Sequence, residues 1–332
     1  MKKRKVIIVA EPLNLEFTVA NSGQSVQGLV YIQSYSLKPR KKKSVTDPDK
    51  QYVTGKLVRK YQSIGFNIFD DTLVDAFKAN NFEGNVLNII GSVNEFRGTV
   101  NLIINGLDEL GSYNLSDFIN THNVEGNYAE FSKYLESHFT NEELGVINTI
   151  FTVPADGFNR FGTEFAGAVM HDACRGGLLH HTLKMLKLYD VVATLDYRFE
   201  QAKEAMPNFD KIVRLGIILH DLGKIEEMED GVYTPASIIN HRIRCVTYLA
   251  KCEREIKREF GEDAFDILLS IIAQHHGAFE GDKPTTVQAM VVHLIDYMDS
   301  QMTHIIEGVL AGGEQTADNR RFVRCDDMKL YF

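Results

Sequence analysis

The sequence predicts an α+β chain in which a small β-barrel precedes an all-α helical bundle. Short alternating or apolar runs, separated by glycine and polar residues, recur through residues 1–115 and are typical of β-strands. From residue 166 onward the apolar residues recur at three- and four-residue spacing, which indicates amphipathic helices. A length of 332 residues suits two domains that each bury a core.

Six runs are predicted to form strands: Lys5–Val9, Leu15–Val19, Gly28–Ile32, Tyr52–Val58, Val86–Ile90 and Val100–Ile104. Glu95-Phe96-Arg97-Gly98 between the last two predicts a hairpin turn. One helical segment, Thr72–Lys78, interrupts the strands. Several short strands with a single helical insert favour a small barrel such as the OB-fold.

The two halves of the chain differ in charge. Residues 1–115 contain 15 Lys and Arg against 11 Asp and Glu, a net of +4, whereas the remainder contains 21 against 34, a net of −13; together they give −9. A basic front half favours a polyanionic partner such as single-stranded RNA or DNA. No stretch approaches the ~20 apolar residues of a membrane span, so no membrane partner is expected. The four cysteines show no Cys-x-x-Cys spacing, which indicates reduced thiols in a cytoplasmic protein.

The front half contains candidate nucleic-acid contacts, because lysines follow phosphates and aromatic rings stack on the bases of single strands. The candidates are Lys38, Arg40, Lys41, Lys42, Lys43, Tyr61, Phe66 and Arg97. The alternative is that the basic run is a solvated loop and that most of the rings belong to the core.

Residues 116–165 are predicted to be a helical connector, with helices at Asn127–Phe139 and Asn141–Phe151 and a capping box formed by Thr140 and Glu143. The bundle that follows is predicted to contain helices at Leu178–Leu195, Phe209–Leu222, Ser237–Phe260, Ala264–His276 and Thr286–Val309. Gly277 is the expected glycine C-cap of the fourth.

Each of these five helices carries a candidate metal ligand on or beside its apolar face. In chain order they are His181, His220 with Asp221, His241, His275 with His276, and Asp296. Burying an imidazole next to a carboxylate is costly unless a cation or hydrogen bonds satisfy both groups, and both are ordinary metal ligands. A single such residue is more often a satisfied core histidine, but the whole set predicts a metal site inside a bundle.

A histidine, a His-Asp pair and a distal aspartate on successive helices resemble the HD-domain metal-dependent phosphohydrolases. Four segments, namely residues 170–182, 217–224, 275–277 and 293–299, resemble more closely the YhaM-type 3′-to-5′ exoribonucleases, which also place an OB-fold before the HD domain. This implies an OB-fold-like nucleic-acid-binding domain at 1–115, the connector at 116–165 and an HD domain at 166–332. Two residues depart from the family pattern: His180 stands where an acidic residue is usual, and Asp172 where a histidine is usual.

The pattern implies that Asp221 bridges two divalent metal ions. His181, His220 and Asp296 would complete one site, and His241 with His275, or with His276 as well, the other. The resemblance further implies that Lys224 contacts the scissile phosphate, and Asp299 and His180 are expected to orient ligands. A mixed nitrogen and oxygen set suits manganese, which is favoured, and leaves iron, cobalt, nickel and zinc open.

The predicted function is therefore a metal-dependent 3′-to-5′ exonuclease of single-stranded nucleic acid, with RNA favoured over DNA. Two alternatives stay open: an HD phosphohydrolase acting on a nucleotide or cyclic dinucleotide, and a non-enzymatic single-strand-binding protein with a vestigial HD domain. A homo-oligomer also stays open.

Overall fold

A computed structural model describes residues 11–40, 50–60, 62–168, 171–195, 197–277, 281, 283–316, 318, 320–325 and 328–332. The chain divides into two compact units, Met1–Asn120 and Thr121–Phe332. The first is a β-barrel and the second is largely helical. The segment predicted as a connector lies mostly in the second unit.

The first unit is a closed five-stranded barrel with the order β1-β2-β3-β5-β4. The strands are β1 Ser25–Pro39, β2 Gln51–Arg59, β3 Gln62–Ile68, β4 Val86–Phe96 and β5 Thr99–Asp108, and helix α1, Asp71–Ala79, joins β3 to β4. All pairs are antiparallel except β3 with β5. The predicted OB-like barrel is therefore confirmed.

One strand prediction for this unit is wrong, one observed strand was not predicted, and one of the predicted runs lies outside the described residues. Leu15–Val19 forms no strand, although Leu15 is buried, and a short 3₁₀ turn begins at Val19. Strand β3 was not predicted, although its buried residues alternate at Ile64, Phe66 and Ile68. The predicted strand Lys5–Val9 falls outside the described residues.

Gly55 shows why the barrel closes tightly. A Cβ at this position would lie 2.2 Å from the carbonyl oxygen of Ser34 and 2.6 Å from the ring of Phe66. Only glycine therefore lets β1 and the Phe66 ring approach β2 so closely. Phe66 is 1% exposed and belongs to the barrel core, together with Val53, Leu57 and Ile104.

The second unit contains eleven helices among the described residues. They are α2 Val124–His138, α3 Asn141–Thr152, α4 Gly157–Thr163, α5 Gly177–Leu195, α6 Tyr197–Ala205, α7 Phe209–Leu219, α8 Lys224–Glu227, α9 His241–Ala250, α10 Glu253–Phe260, α11 Ala264–Gln274 and α12 Val287–Leu310. The predicted capping box is confirmed: Glu143 N lies 3.3 Å from Thr140 Oγ1, and Thr140 N lies 2.8 Å from Glu143 Oε2. Helices α5, α7, α9, α11 and α12 share one apolar core.

The predicted helix Ser237–Phe260 is in fact two helices, α9 and α10. The Asn240 side chain caps α9 by accepting from Ile243 N at 3.1 Å, which starts that helix at His241. At its other end, Cys252 N donates to Leu249 O, a three-residue spacing that tightens the last turn and redirects the chain. The charged surface pattern continues across this break, so periodicity alone did not reveal it.

Two small antiparallel sheets also interrupt the helical unit, against the all-helical prediction. One pairs β6 Met228–Glu229 with β7 Val232–Tyr233. The other orders β10 Met328–Tyr331, β9 Arg321–Cys325 and β8 Glu314–Gln315. Their strands are too short for alternation to stand out. No helix in the described part of the chain is long and apolar enough to cross a membrane.

Candidate metal centre

The centre of the site is the turn that follows α7. Helix α7 ends at Leu219, and Leu222 N then bonds Leu219 O with three-residue spacing. His220 and Asp221 lie inside this tight turn, where they are 0% and 3% exposed. His220 Nδ1 lies 2.8 Å from Ile217 O, so that Nε2 points to Asp221 Oδ2 at 3.2 Å. A Cβ on Gly223 would lie 2.0 Å from His241 O, so a glycine is needed here for α9 to begin against this turn.

Helices α9 and α11 supply the next two imidazoles. His241 Nε2 lies 3.4 Å and His275 Nε2 3.7 Å from Asp221 Oδ1. The opposite nitrogens are held by acceptors, His241 Nδ1 by Glu227 Oε2 at 2.9 Å and His275 Nδ1 by Ile272 O at 2.9 Å. The ring of His276 lies beside both, with centroids 4.2 Å from His275 and 5.2 Å from His241.

Helices α5 and α12 supply the remaining candidates. His181 Nε2 lies 3.3 Å from Asp296 Oδ1, and His181 Nδ1 lies 2.7 Å from Asp299 Oδ2. Asp296 and Asp299 are three residues apart and thus neighbours on one face of α12. The predicted orienting role of Asp299 therefore has the geometry it needs.

These side chains fit a bound cation. The Nε2 atoms of His181, His220, His241 and His275 and the Oδ1 atom of Asp221 are buried without a hydrogen-bond partner among the described residues. Buried polar atoms are rarely left unsatisfied. With Nδ1 engaged on each ring, Nε2 is the atom free to bind a metal. Ligand atoms of Asp221, His241, His275 and His276 lie within 4.8 Å of one another, as do those of His181, His220 and Asp221.

The electrostatics of the cluster favour the same conclusion. Burial would raise the pKa of Asp221, but the Lys224 ammonium and His220 hold it well below its usual range. Burial lowers the pKa of His275 to about 3, so this imidazole is neutral at pH 7 and able to ligate. Burial alone would lower the pKa of His181, yet the carboxylates of Asp296 and Asp299 raise it to about 9. This site therefore attracts positive charge, which a metal ion would supply in place of the proton.

A cavity of about 240 Å³ opens beside the cluster. It is lined by Asp221, Lys224, His275, His293 and Asp296, among others. Lys224 Nζ donates to Asp221 Oδ2 at 2.6 Å and to Ala166 O at 2.5 Å. A larger surface groove, about 640 Å³, runs along α10 among charged side chains, but none of the candidate ligands lines it.

Three residues that the sequence analysis assigned no role also join the site. His171 lines the cavity, its Nε2 is buried without a partner among the described residues, and it groups with His181 and Asp296. Glu227 holds His241 as described above. His293 Nδ1 lies 2.6 Å from His275 O and so bonds the backbone of a candidate ligand. The motif around His171 was visible in the sequence, whereas the contacts of Glu227 and His293 depend on the fold.

His180 lies in a second group of polar residues, next to the site. Its ring stacks on His122 at 3.8 Å, and His122 Nε2 lies 3.0 Å from Asp172 Oδ1. Lys184 connects this group to the site, because its Nζ lies 2.8 Å from Asp172 Oδ2 and 3.0 Å from Asp299 Oδ2. The two departures from the family pattern, Asp172 and His180, therefore occur side by side.

The candidate nucleic-acid contacts on the barrel divide into four groups. Phe66 is buried in the core, so the prediction that it stacks on bases is wrong. Lys38 is exposed at the end of β1, and Arg97 lies in the turn between β4 and β5 with its guanidinium 5.1 Å from the Phe96 ring centroid. Arg40 pairs with Asp71 at 2.8 Å. The remaining candidates, Lys41, Lys42, Lys43 and Tyr61, lie outside the described residues.

Comparisons with known proteins agree with this geometry. Residues 178–301 match the family model of the HD domain. The 3'-5' exoribonuclease YhaM of Bacillus subtilis (strain 168) is 28% identical over 234 residues, which are 65% of this chain and 68% of that protein. The protein of the same name from Bacillus licheniformis is 27% identical over 262 residues, 72% of this chain and 78% of its own length. That from Bacillus pumilus is 32% identical over 157 residues, 43% of this chain and 46% of its own length.

A solved structure of aspartyl tRNA synthetase from Entamoeba histolytica also matches, at 9% identity and a TM-score of 0.24 over 78% of this chain and 57% of that one, which is too weak to bear on the fold. The family match, the relatives and the histidine and aspartate clusters support a metal-dependent phosphohydrolase of the nuclease type. The resemblance read from the sequence is confirmed: the chain carries an HD domain at residues 178–301 and is similar over most of its length to proteins named 3'-5' exoribonuclease YhaM.

Proposed function

We propose that this protein is a metal-dependent 3′-to-5′ exonuclease of single-stranded nucleic acid, with RNA favoured over DNA. The observation that carries the proposal is the convergence of buried, unpartnered ligand atoms on Asp221, next to a cavity that Lys224 also lines. The direction of digestion and the preference for RNA rest on the names of the relatives.

Seven residues would hold two divalent ions. Asp221 would bridge them; His181, His220 and Asp296 would complete one site, and His241, His275 and His276 the other. Bound ions of this kind lower the pKa of a coordinated water toward ~7 and stabilise the charge that develops on phosphate oxygens. Manganese suits the mixed imidazole and carboxylate set, as do iron, cobalt, nickel and zinc.

Lys224 would act on the substrate from the cavity wall. Two of the three donor positions of its ammonium are directed at Asp221 Oδ2 and Ala166 O. A lysine ammonium carries three donors and no acceptor, so the third, which has no acceptor among the described residues, would donate to a phosphate oxygen. Lys224 would thus orient the bridging carboxylate and neutralise part of the phosphate charge in the same place.

The barrel would bind the single strand. OB-folds bind oligonucleotides on the face of strands 2 and 3 and through the loops between strands 1 and 2 and strands 4 and 5. Arg40 lies at the start of the first of these loops and Arg97 in the second. This surface favours a polymeric substrate, because a free nucleotide would not need the barrel to bind it.

The cavity also bears on the choice of substrate. Its volume of about 240 Å³ is below the ~300–1,000 Å³ of typical small-molecule sites. It suits a phosphate with one flanking sugar better than a whole cyclic dinucleotide. The complete ligand set argues against a vestigial domain that only binds single strands, because unused buried imidazoles would be costly.

The test is digestion of 5′-labelled single-stranded RNA and DNA of one sequence, with manganese or with a chelator, and with Asp221→Asn as the inactive control. The proposal expects a ladder that shortens from the 3′ end, faster on RNA, and that disappears with chelator. Binding without cleavage under every metal condition would favour the binding-module alternative. Cleavage of nucleotides or cyclic dinucleotides, but not of oligonucleotides, would favour the small-substrate phosphohydrolase.

A further inference from the structure

Helix α12 has an unusual outer face. Six residues at four-residue spacing, Met290, Leu294, Met298, Met302, Ile306 and Leu310, are exposed along it. We call these six residues the α12 ridge. Val287 and Val309 flank the ridge, and all eight side chains are 40–58% exposed. Every exposed residue of the helix is therefore apolar.

An ordinary surface helix would carry charged or polar residues on this face. Here the charges point the other way, because Asp296 and Asp299 of the same helix face His181 in the core. Large contiguous apolar patches on soluble proteins mark interaction sites. The face offers no charge for nucleic acid or for a charged protein surface, which leaves an apolar partner.

We propose that the α12 ridge is the contact by which two copies of this chain associate, an interaction separate from the proposed hydrolysis. Residues at four-residue spacing form a ridge inclined about 26° to the helix axis, and two such ridges interlock when the helices cross at about −50°. The commonest helix packing thus joins this ridge to an identical one. A two-fold pair would place Leu294, Met298 and Met302 near the crossing point.

The available area agrees with a dimer. Burying one aliphatic side chain completely removes roughly 60–120 Å² of apolar surface. Eight half-exposed side chains then supply on the order of 400 Å². One side of a standard interface buries about 800 Å², of which roughly 500 Å² is apolar in homodimers. The ridge together with Val287 and Val309 supplies most of that share, and the three methionines of the ridge allow it to adapt its shape.

The position of the ridge would also place a second copy near the cavity. His293, Tyr297 and Gln301 of α12 line that cavity, and each is next in sequence to a ridge residue. A copy docked on the ridge would therefore border the cavity opening. The contact would hold in place the helix that also carries Asp296.

The test measures the mass of the full-length, metal-loaded protein by sedimentation over a range of micromolar concentrations. We expect a concentration-dependent dimer for the wild type. A variant with Leu294→Lys and Met298→Lys should be monomeric, since like charges would meet at the crossing point. The control is Val191→Lys with Leu195→Lys, which changes two apolar residues of α5 that are 55% and 75% exposed, and it should leave the dimer intact.

A second arm keeps the test falsifiable if the lysine variant is destabilised. A variant with Leu294→Glu and Met298→Glu should also be monomeric alone, but should form a mixed dimer with the lysine variant, because opposite charges then face each other. A wild type that stays monomeric at every concentration would overturn the proposal. So would a lysine variant that is folded by circular dichroism and still dimeric. Failure of the exonuclease assay would leave this result unaffected.

Discussion

At the scale of single residues, the Asp221–Lys224 pair links stability to the proposed chemistry. Asp221 is buried, the Lys224 side chain is only 12% exposed, and their charged atoms lie 2.6 Å apart. Asp221→Ala would remove the carboxylate expected to bridge the two metals, and with it the proposed hydrolysis. The structure adds a cost, because that change strands the Lys224 ammonium without its carboxylate.

We therefore expect Asp221→Ala to abolish hydrolysis and also to lower the free energy of unfolding of the metal-free protein by about 3–5 kcal/mol. Adding Lys224→Met to Asp221→Ala should recover much of that stability but no activity. Urea unfolding in chelator, together with the oligonucleotide assay, measures both effects. Full activity of Asp221→Ala with metal still bound would contradict the two-metal proposal.

The histidines at the start of α9 and the end of α11 allow a separate test of the second metal. His241→Ala or His275→Ala should reduce the metal content from two ions toward one per chain. Turnover should fall far more than the melting temperature does. Elemental analysis gives the stoichiometry, and His304→Ala serves as the control because this half-exposed histidine on α12 bonds only the Arg324 carbonyl among the described residues. One metal per chain in the active wild type, with near-normal turnover in both variants, would exclude the second site.

At the scale of elements, the end of α11 depends on Gly277. This residue has a φ of +59°, and a Cβ on it would lie 2.4 Å from the His293 ring. Gly281 has a similar φ of +82° but open space around it. Substituting each glycine in turn therefore separates the cost of backbone strain from the cost of a clash with the His293 ring, which bonds His275 O.

We expect Gly281→Ala to destabilise the protein by about 1–2 kcal/mol through its left-handed backbone alone. Gly277→Ala should cost a further 1–3 kcal/mol, roughly, through overpacking. It should also weaken metal binding, because His275 and His293 would both shift. Thermal unfolding and metal titration of the two variants provide the comparison, and equal behaviour would show that the His293 contact is unimportant.

Helix α12 also contains a pH-dependent group, Glu307. Burial and the neighbouring Asp172 carboxylate raise its pKa to about 7, against the opposing effect of Lys184 and His122. The native protein therefore binds a proton that the unfolded chain, with an ordinary pKa near 4.5, releases. The stabilisation from this proton is complete below about pH 4.5 and disappears as the pH rises through 7.

Glu307→Gln should remove that contribution. As the pH rises from 4.5 to 7, the wild type should lose this stabilisation and the variant should not, so the free energy of unfolding of the variant should rise relative to that of the wild type. Urea unfolding at several pH values measures it. The control is Glu125→Gln in the first turn of α2, where the carboxylate is exposed. Parallel pH profiles for wild type and Glu307→Gln would contradict the raised pKa.

At the scale of the whole molecule, the barrel and the helical unit have separate expected tasks. The exposed pair Phe96 and Arg97 offers a ring and a charge at the turn between β4 and β5, where the proposal expects a bound strand. Changing both to Ala should weaken binding of single-stranded RNA, since stacking contributes about 1–3 kcal/mol per base. Cleavage of a minimal substrate should be less affected.

Titrations at several salt concentrations supply the measurement. The log of the association constant should fall linearly with the log of salt concentration, and the double variant should show a smaller slope because it loses one phosphate contact. Leu110→Ala, half-exposed elsewhere in the same unit, is the control. Binding that is insensitive to salt and to the double variant would exclude this loop.

The local sequence pattern was sufficient to predict many of the strands and helices and most of the candidate ligands. The alternation of β1, β2, β4 and β5, the Thr140 capping box and the starts of α5 and α11 all follow from neighbouring residues. The set His181, His220, Asp221, His241, His275 and Asp296 could be named because each stands on, or directly after, a helix with clear periodicity. These side chains were expected to lie close together, because the apolar faces of the five helices that carry them have to share one core.

Only the tertiary structure decided the rest. Asp299 meets His181 across 118 positions and Lys184 joins Asp172 to Asp299, contacts that no local pattern encodes. Phe66 and Phe96 are both strand aromatics, yet closure of the barrel buries one and exposes the other. The sequence of the α12 ridge is apolar, as the sequence of a buried helix face would be. The opposite face of α12 packs against the core, and this leaves the ridge exposed. Sequence periodicity shows that a helix has an apolar face, but only the tertiary structure decides whether another element covers that face.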